Sequence, residues 1–347
     1  MSQLELISPG PLSHELQMML EPIITEKNVH VINSIKDVNS LANRKIIFAV
    51  EVDDSGFAIP IYDFIKKLYK SDSNYFKDSS AAIFIHSSNQ LFTKSVAQSL
   101  IFITNKMGCR YIGHPVVEAI EGYKNFHTWQ KTMDMPLKDI CHLHCQNLYK
   151  RLINDVIPHK KQPHILVLHA SSRKTSNTLL LWDIIKKYLS NCIIEEIHVE
   201  NGTINDCRGC SFKTCLHYSK QDSCFYGGIV VEEVFPAIQR CDSIIWICPN
   251  YNDAISANLT AVINRLTALY RKISFYDKSI FGIIVSGNSG GDSVAKQLIG
   301  ALNINKGFRL PPDFAIMEIA NDPKSILKVD SIENKAKSFA ENIILNF

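Results

Sequence analysis

Residues 164–178 read HILVLHASSRKTSNT. Residues 165–168 are a continuous apolar run, as expected of a strand covered on both faces of a parallel sheet. Ser171, Ser172, Arg173, Thr175, Ser176, Asn177 and Thr178 then crowd hydroxyls, amides and one guanidinium into a short loop. A helix over 179–189 follows, and its positive end would face the same loop. This is phosphate-binding chemistry without Walker or dinucleotide glycine spacing. A plain Ser/Thr cap between a strand and a helix would look the same.

The rhythm continues toward the C-terminus. Residues 193–199 (IIEEIHV) form a strand of mixed polarity, suited to a sheet edge, and 230–240 a helix. Residues 243–248 (SIIWIC) form a buried strand that runs into PNYNDAIS, and a helix spans 258–270. A third buried strand, 281–285, ends in SGNSGGD before a helix over 293–302; a short strand at 315–319 and a closing helix over 331–347 complete the half. Strands alternating with helices imply a doubly wound parallel α/β sheet. Three strand ends therefore carry ligand-type loops: one for an anion, one with an aromatic, and one whose glycines let backbone approach a flat ring. Ligands bind at the C-terminal ends of such strands, at the topological switch.

Between the second strand and the next helix lies NDCRGCSFKTCLHYSKQDSC. Cys207, Cys210, Cys215 and Cys224 are spaced C-x2-C-x4-C-x8-C. Four thiols on one short loop can ligate an iron–sulfur cluster or a zinc ion, or be plain packing residues.

The first half has the same alternation. Strands are expected at 45–52, 81–86 and 115–120, and helices at 61–69, 93–107 and 134–155. Cys141 and Cys145 are four apart on the last helix, a spacing more often used by core fillers than by metal ligands. Residues 156–163 (VIPHKKQP) read as a linker, dividing an N-terminal α/β domain, 1–158, from a C-terminal domain, 163–347. The first domain, of unassigned role, reads as a smaller, degenerate copy of the second.

A chain of 347 residues is long enough for two domains. With 46% hydrophobic and 20% charged residues it should be globular, and a formal net charge of only +3 argues against a dedicated nucleic-acid or membrane-surface protein. The early acidic residues of MSQLELISPGPLSHELQ give no export signal, and no apolar run approaches the ~20 residues of a membrane span. A cytoplasmic protein is expected, in which clustered cysteines favour a metal or redox site over disulfides.

HASSRKTSNT, the cysteine cluster, CDSIIWICPNYNDAISANLTAVINR and VSGNSGG together resemble the NADPH-dependent FMN reductase family of flavodoxin-like proteins, over about 163–320. Within it they are similar to the iron–sulfur flavoproteins. The resemblance implies a flavodoxin-like fold for the C-terminal domain. It also implies FMN, with its phosphate held by Ser171, Arg173, Ser176, Asn177 and Thr178. Pro249, Asn250, Tyr251, Asn252 and Ala254 would flank the isoalloxazine, with Ser286, Gly287 and Gly291 on its other side. The cysteines would hold a [4Fe-4S] cluster. NAD(P)H would be the electron donor, and a redox partner or small molecule the acceptor. No catalytic acid or base is implied. A homodimer is expected by analogy, without nucleic-acid or membrane partners. The chain departs from the family in carrying Phe225-Tyr226-Gly227-Gly228 where acidic residues are usual, and Asn264-Arg265 where Asp-Arg is frequent. Two other readings stand beside this one: an electron-transfer iron–sulfur flavoprotein with no substrate of its own, and a thiol- or zinc-bearing module that has lost its flavin.

Overall fold

The computed structural model describes residues 4–25, 28–71, 74–171, 175–200 and 202–347. The chain divides into two compact units, Met1–Val156 and Ile157–Phe347. Each has its own sheet and its own buried core.

In the first unit the elements are β1 (Leu4–Ile7), α1 (His14–Ile24), β2 (Val29–Ile32), β3 (Lys45–Val52), α2 (Ile59–Ser71), β4 (Ser80–Ser87), α3 (Thr93–Lys106), β5 (Arg110–Ile120), α4 (His127–Met133) and α5 (Leu137–Ile153). The strands are all parallel, in the order β2-β1-β3-β4-β5. Cys141 and Cys145 on α5 are buried in the core with Leu148 and Leu152, as fillers rather than ligands.

The second unit runs β6 (His164–His169), α6 (Asn177–Lys186), β7 (Ile193–His198), α7 (Phe212–Ser219), α8 (Phe235–Arg240), β8 (Ser243–Pro249), α9 (Ala257–Tyr270), β9 (Ser279–Ser286), α10 (Gly291–Leu298), β10 (Ala315–Ile319) and α11 (Ile332–Leu345). Its parallel order is β10-β9-β8-β6-β7. Residues 165–168 are fully buried, and each such side chain contributes about 1.5–3 kcal/mol over an exposed one. β7, with its mixed polarity, is an edge strand as expected.

Counted from its own first strand, each sheet reads 2-1-3-4-5, the flavodoxin-like doubly wound order. The C-terminal fold expected from the sequence is present. The N-terminal repeat is present too, with the same number of strands as its counterpart.

Candidate functional site

Because the strands of the second unit are parallel, the loops after β6, β8, β9 and β10 all open on one edge of the sheet. The order switches between β6 and β8, since the chain leaves β6 for β7 on one side and returns to β8 on the other.

After β6, Ser171 and Thr178 are buried and Ser176 is half-buried. The Ser176 hydroxyl donates to Ser171 Oγ over 3.4 Å and pairs with Thr178 Oγ1 at 2.9 Å. Three hydroxyls thus gather at the start of α6. Ser176 is the N-cap of that helix, yet its side chain makes no capping bond. The first-turn N–H groups keep their demand for an acceptor, next to the positive end of a ten-residue helix. Arg173, with Ser172 and Lys174, lies outside the described residues. Asn177 is engaged elsewhere: its Nδ2 donates to the carbonyls of Ala320 and Asp322, both at 2.9 Å. Its Oδ1 accepts from Ile326 N–H. The side chain ties α6 to the loop after β10.

After β8, Asn250 extends the ladder by donating its N–H to the Val285 carbonyl. Tyr251 and Ala254 then bond each other across Asn252 and Asp253. Both central residues have positive φ, 53° and 58°, as a type I′ turn requires. The turn leaves Tyr251 58% exposed at the sheet edge.

The β8 and β9 loops are tied by one amide. Asn250 Nδ2 lies within bonding distance of Asp253 Oδ1 (3.2 Å), Ser286 Oγ (3.0 Å) and the Ser289 carbonyl (2.9 Å). Its Oδ1 is buried with no partner. Gln297 on α10 donates to the Asp253 carbonyl and accepts from Ile255 N–H. Ser286 is buried, while Gly287 is exposed. Gly290 sits at φ +83°, with the Asp253 carboxylate packed against the position a Cβ would take. Gly291 opens α10. The structure therefore joins the residues around Pro249 to those around Ser286 and Gly291 directly. The hydroxyl group at Ser171 stands on the neighbouring strand of the same edge.

One feature escaped the sequence reading. His169 and His198, register partners at the ends of β6 and β7, stack with ring centres 4.7 Å apart. Burial, and then the neighbouring His198, push the His169 pKa down. Two histidines closing adjacent strands were the available signal.

The cysteine segment is not a plain loop. It contains α7, capped by Ser211, which accepts from Thr214 N–H. This lobe is pinned to α9: Asn264 donates to Asp206, and Arg265 donates to the Asn205 carbonyl (3.3 Å) and the Gly227 carbonyl (2.6 Å). The Arg271 guanidinium lies 4.6 Å from the Phe212 ring centre. Cys207, Cys210, Cys215 and Cys224 all line one cavity of about 220 Å³, together with Tyr218, Phe225 and Tyr226. The Cys210 thiol donates to the Tyr226 hydroxyl at 3.7 Å. Among the described residues, no three His, Cys, Asp or Glu side chains converge closely enough to hold a single metal ion. By contrast Cys241 and Cys248 are buried packing thiols, and burial pushes both up to about 12.

The first unit treats the corresponding edge differently. Its β1–α1 loop, SPGPLS, has prolines at 9 and 11, which offer no N–H. Ser13 N–H donates to Glu51 Oε2 at 3.0 Å, so a carboxylate from β3 sits at the start of α1. Glu51 also pairs with His86 at 2.5 Å, and His86 with Ser13 Oγ at 3.0 Å. Burial opposes charge on Glu51, but the bonds from His86 and Ser13 outweigh it and hold the carboxyl below its ordinary value.

No helix among the described residues is long and apolar enough to cross a membrane. Residues 163–322 match the family model described as NADPH-dependent FMN reductase. No curated protein matches the chain. Among solved structures it is similar to RosB with a bound formylated riboflavin-phosphate intermediate, at 13% identity over 54% of this chain and 78% of that one, TM-score 0.43. It is similar to an NAD(P)H:quinone oxidoreductase from Methanothermobacter marburgensis, at 16% identity over 52% and 95%, TM-score 0.40. An azoreductase from Bacillus anthracis str. Sterne is 14% identical over 53% and 100%, TM-score 0.38. The second unit, over residues 163–322, thus matches the NADPH-dependent FMN reductase family that its loops resemble.

Proposed function

We propose that the second unit is an FMN-dependent oxidoreductase that draws electrons from NAD(P)H, with a [4Fe-4S] cluster on its cysteine lobe. The observation that carries the flavin is the uncapped start of α6, ringed by the hydroxyls of Ser171, Ser176 and Thr178, on the edge that also presents the β8 and β9 loops. When bound, FMN accepts hydride and releases electrons singly or in pairs. Ser171, Ser176, Thr178 and the α6 N–H groups bind the phosphate, and Arg173 adds charge. The Asn177 side chain fixes the helix, leaving its backbone N–H for the anion. Pro249, Asn250, Tyr251, Asn252 and Ala254 orient one side of the ring, and Ser286, Gly287 and Gly291 the other. The unpartnered Asn250 Oδ1 is an acceptor available to a ring N–H.

Cys207, Cys210, Cys215 and Cys224 hold the cluster, which supplies one-electron transfer when present. Its cavity lies along α9, the helix that leaves the ring loop. Arg265 is about 12 Å along the axis from Ala257. That placement also supports the second reading, an electron-transfer flavoprotein whose acceptor is a protein.

The test is the visible spectrum of protein purified without air, with iron and sulfide assays. Flavin bands with a broad iron–sulfur shoulder and about four irons per chain are expected. Flavin without iron leaves the reductase and removes the cluster. A colourless protein that takes up no FMN overturns the proposal. NAD(P)H oxidation separates an enzyme from a carrier, which would show none.

A further inference from the structure

Arg265 is an unusual residue for the middle of a helix–lobe contact. Its side chain is 2% exposed, and Nε is buried with no partner. Its guanidinium donates to two carbonyls, Asn205 just before the first cysteine and Gly227 just after the last. No carboxylate lines the cavity that Arg265 shares with the four thiols, among the described residues. A guanidinium is charged at any accessible pH, and burying it without an anion costs several kcal/mol. Two carbonyl dipoles offset part of that cost. The anion proposed to offset the rest is the thiolate-ligated group of the cavity, whose four cysteines line it together with Arg265.

We infer that Arg265 is the buried counter-charge of the cysteine cavity, which the exposed Arg271 also lines: it clamps both feet of the lobe and raises the reduction potential of the iron–sulfur group held there. The inference rests on the proposed iron–sulfur reading of that cavity. Reduction adds one negative charge to an already anionic thiolate-ligated group, and a fixed positive charge beside it stabilises the reduced form more than the oxidised one. Arg265 acts as a positioning residue, through the lobe and its field.

The experiment compares R265K, which keeps a cation, with R265M, which keeps only the apolar stem. Iron and sulfide are assayed first in the unaltered chain after anaerobic reconstitution. If it holds no iron, the cavity reading falls and takes this inference with it, before any variant is made. If it holds iron, potentiometric titration of the cluster decides. R265M should lower the one-electron midpoint by at least 59 mV, a tenfold change in the equilibrium, while R265K keeps most of the potential. Retention of iron by R265K and its loss by R265M also supports the charge. Overturning results are equal midpoints in both variants and the unaltered chain, or equal loss of iron from both variants, which would leave Arg265 as a hydrogen-bonded clamp alone.

Discussion

A Cβ on Gly290 would stand 1.8 Å from Asp253 Oδ1, on a backbone at φ +83°. G290A must therefore expel the Asp253 carboxylate and with it one partner of the Asn250 amide. We expect a loss of about 1–3 kcal/mol in urea unfolding and a fall of about tenfold in FMN affinity, equivalent to ~1.4 kcal/mol. D253A/G290A should recover part of both, because D253A removes the carboxylate that the new Cβ meets. Glu51 makes a prediction at the other end of the chain. Its folded carboxyl lies below its ordinary 4.5, so its stabilisation is complete above that value and is lost as pH falls through the folded value. E51Q should cost about 1–2 kcal/mol at pH 7. The gap between variant and parent should close on acidification below 4.5, read by denaturant unfolding at several pH values. Single residues were the least legible level of this sequence. The resemblance implies Asn177 as a phosphate ligand. Its side-chain bonds to Ala320 and Asp322 join positions more than 140 residues apart, a link no local pattern carries.

At the level of elements, α6 depends on that link. N177A removes three bonds between the start of α6 and the 320–326 segment. It should destabilise the second unit by about 1–2 kcal/mol and weaken flavin retention, while the far-ultraviolet circular dichroism of the folded protein stays unchanged. The strands of the second unit were readable because burial on both faces writes an unbroken apolar run, as in SIIWIC. β1 and β2 were not, since four residues each give too short a pattern. α1 carries Pro22, which reads as a break. α7 was hidden within the cysteine segment, although Ser211 before Phe212, Cys215, Leu216 and Ser219 gives both a cap and a helical spacing.

Across the whole molecule, two sheets of one strand order invite the question of two flavins. In the second unit the helix start is bare and ringed by hydroxyls. In the first unit Glu51 occupies it and two prolines remove donors from the loop. An anion approaching α1 would meet a carboxylate held in its charged form. We expect one FMN per chain, measured as flavin released by denaturation against protein, and its loss in S176A/T178A. Two flavins per chain would place one in the first unit. The sequence reached the repeat through strand–helix rhythm alone. Strand order was beyond it, because order depends on pairings between segments far apart in the chain.

The duplicated strand order also bears on how the chain reaches its native state. All five strands of each sheet are contiguous in sequence, so β1 to β5 can pair before β6 has left the ribosome. Synthesis from one end separates the two assemblies in time. Dilution from denaturant offers all ten strands to one another at once, and a parallel strand from one half can be captured at the equivalent place in the other. Refolding in vitro should therefore be slower and less complete than the yield of newly made protein, with cross-paired sheets as the trapped species.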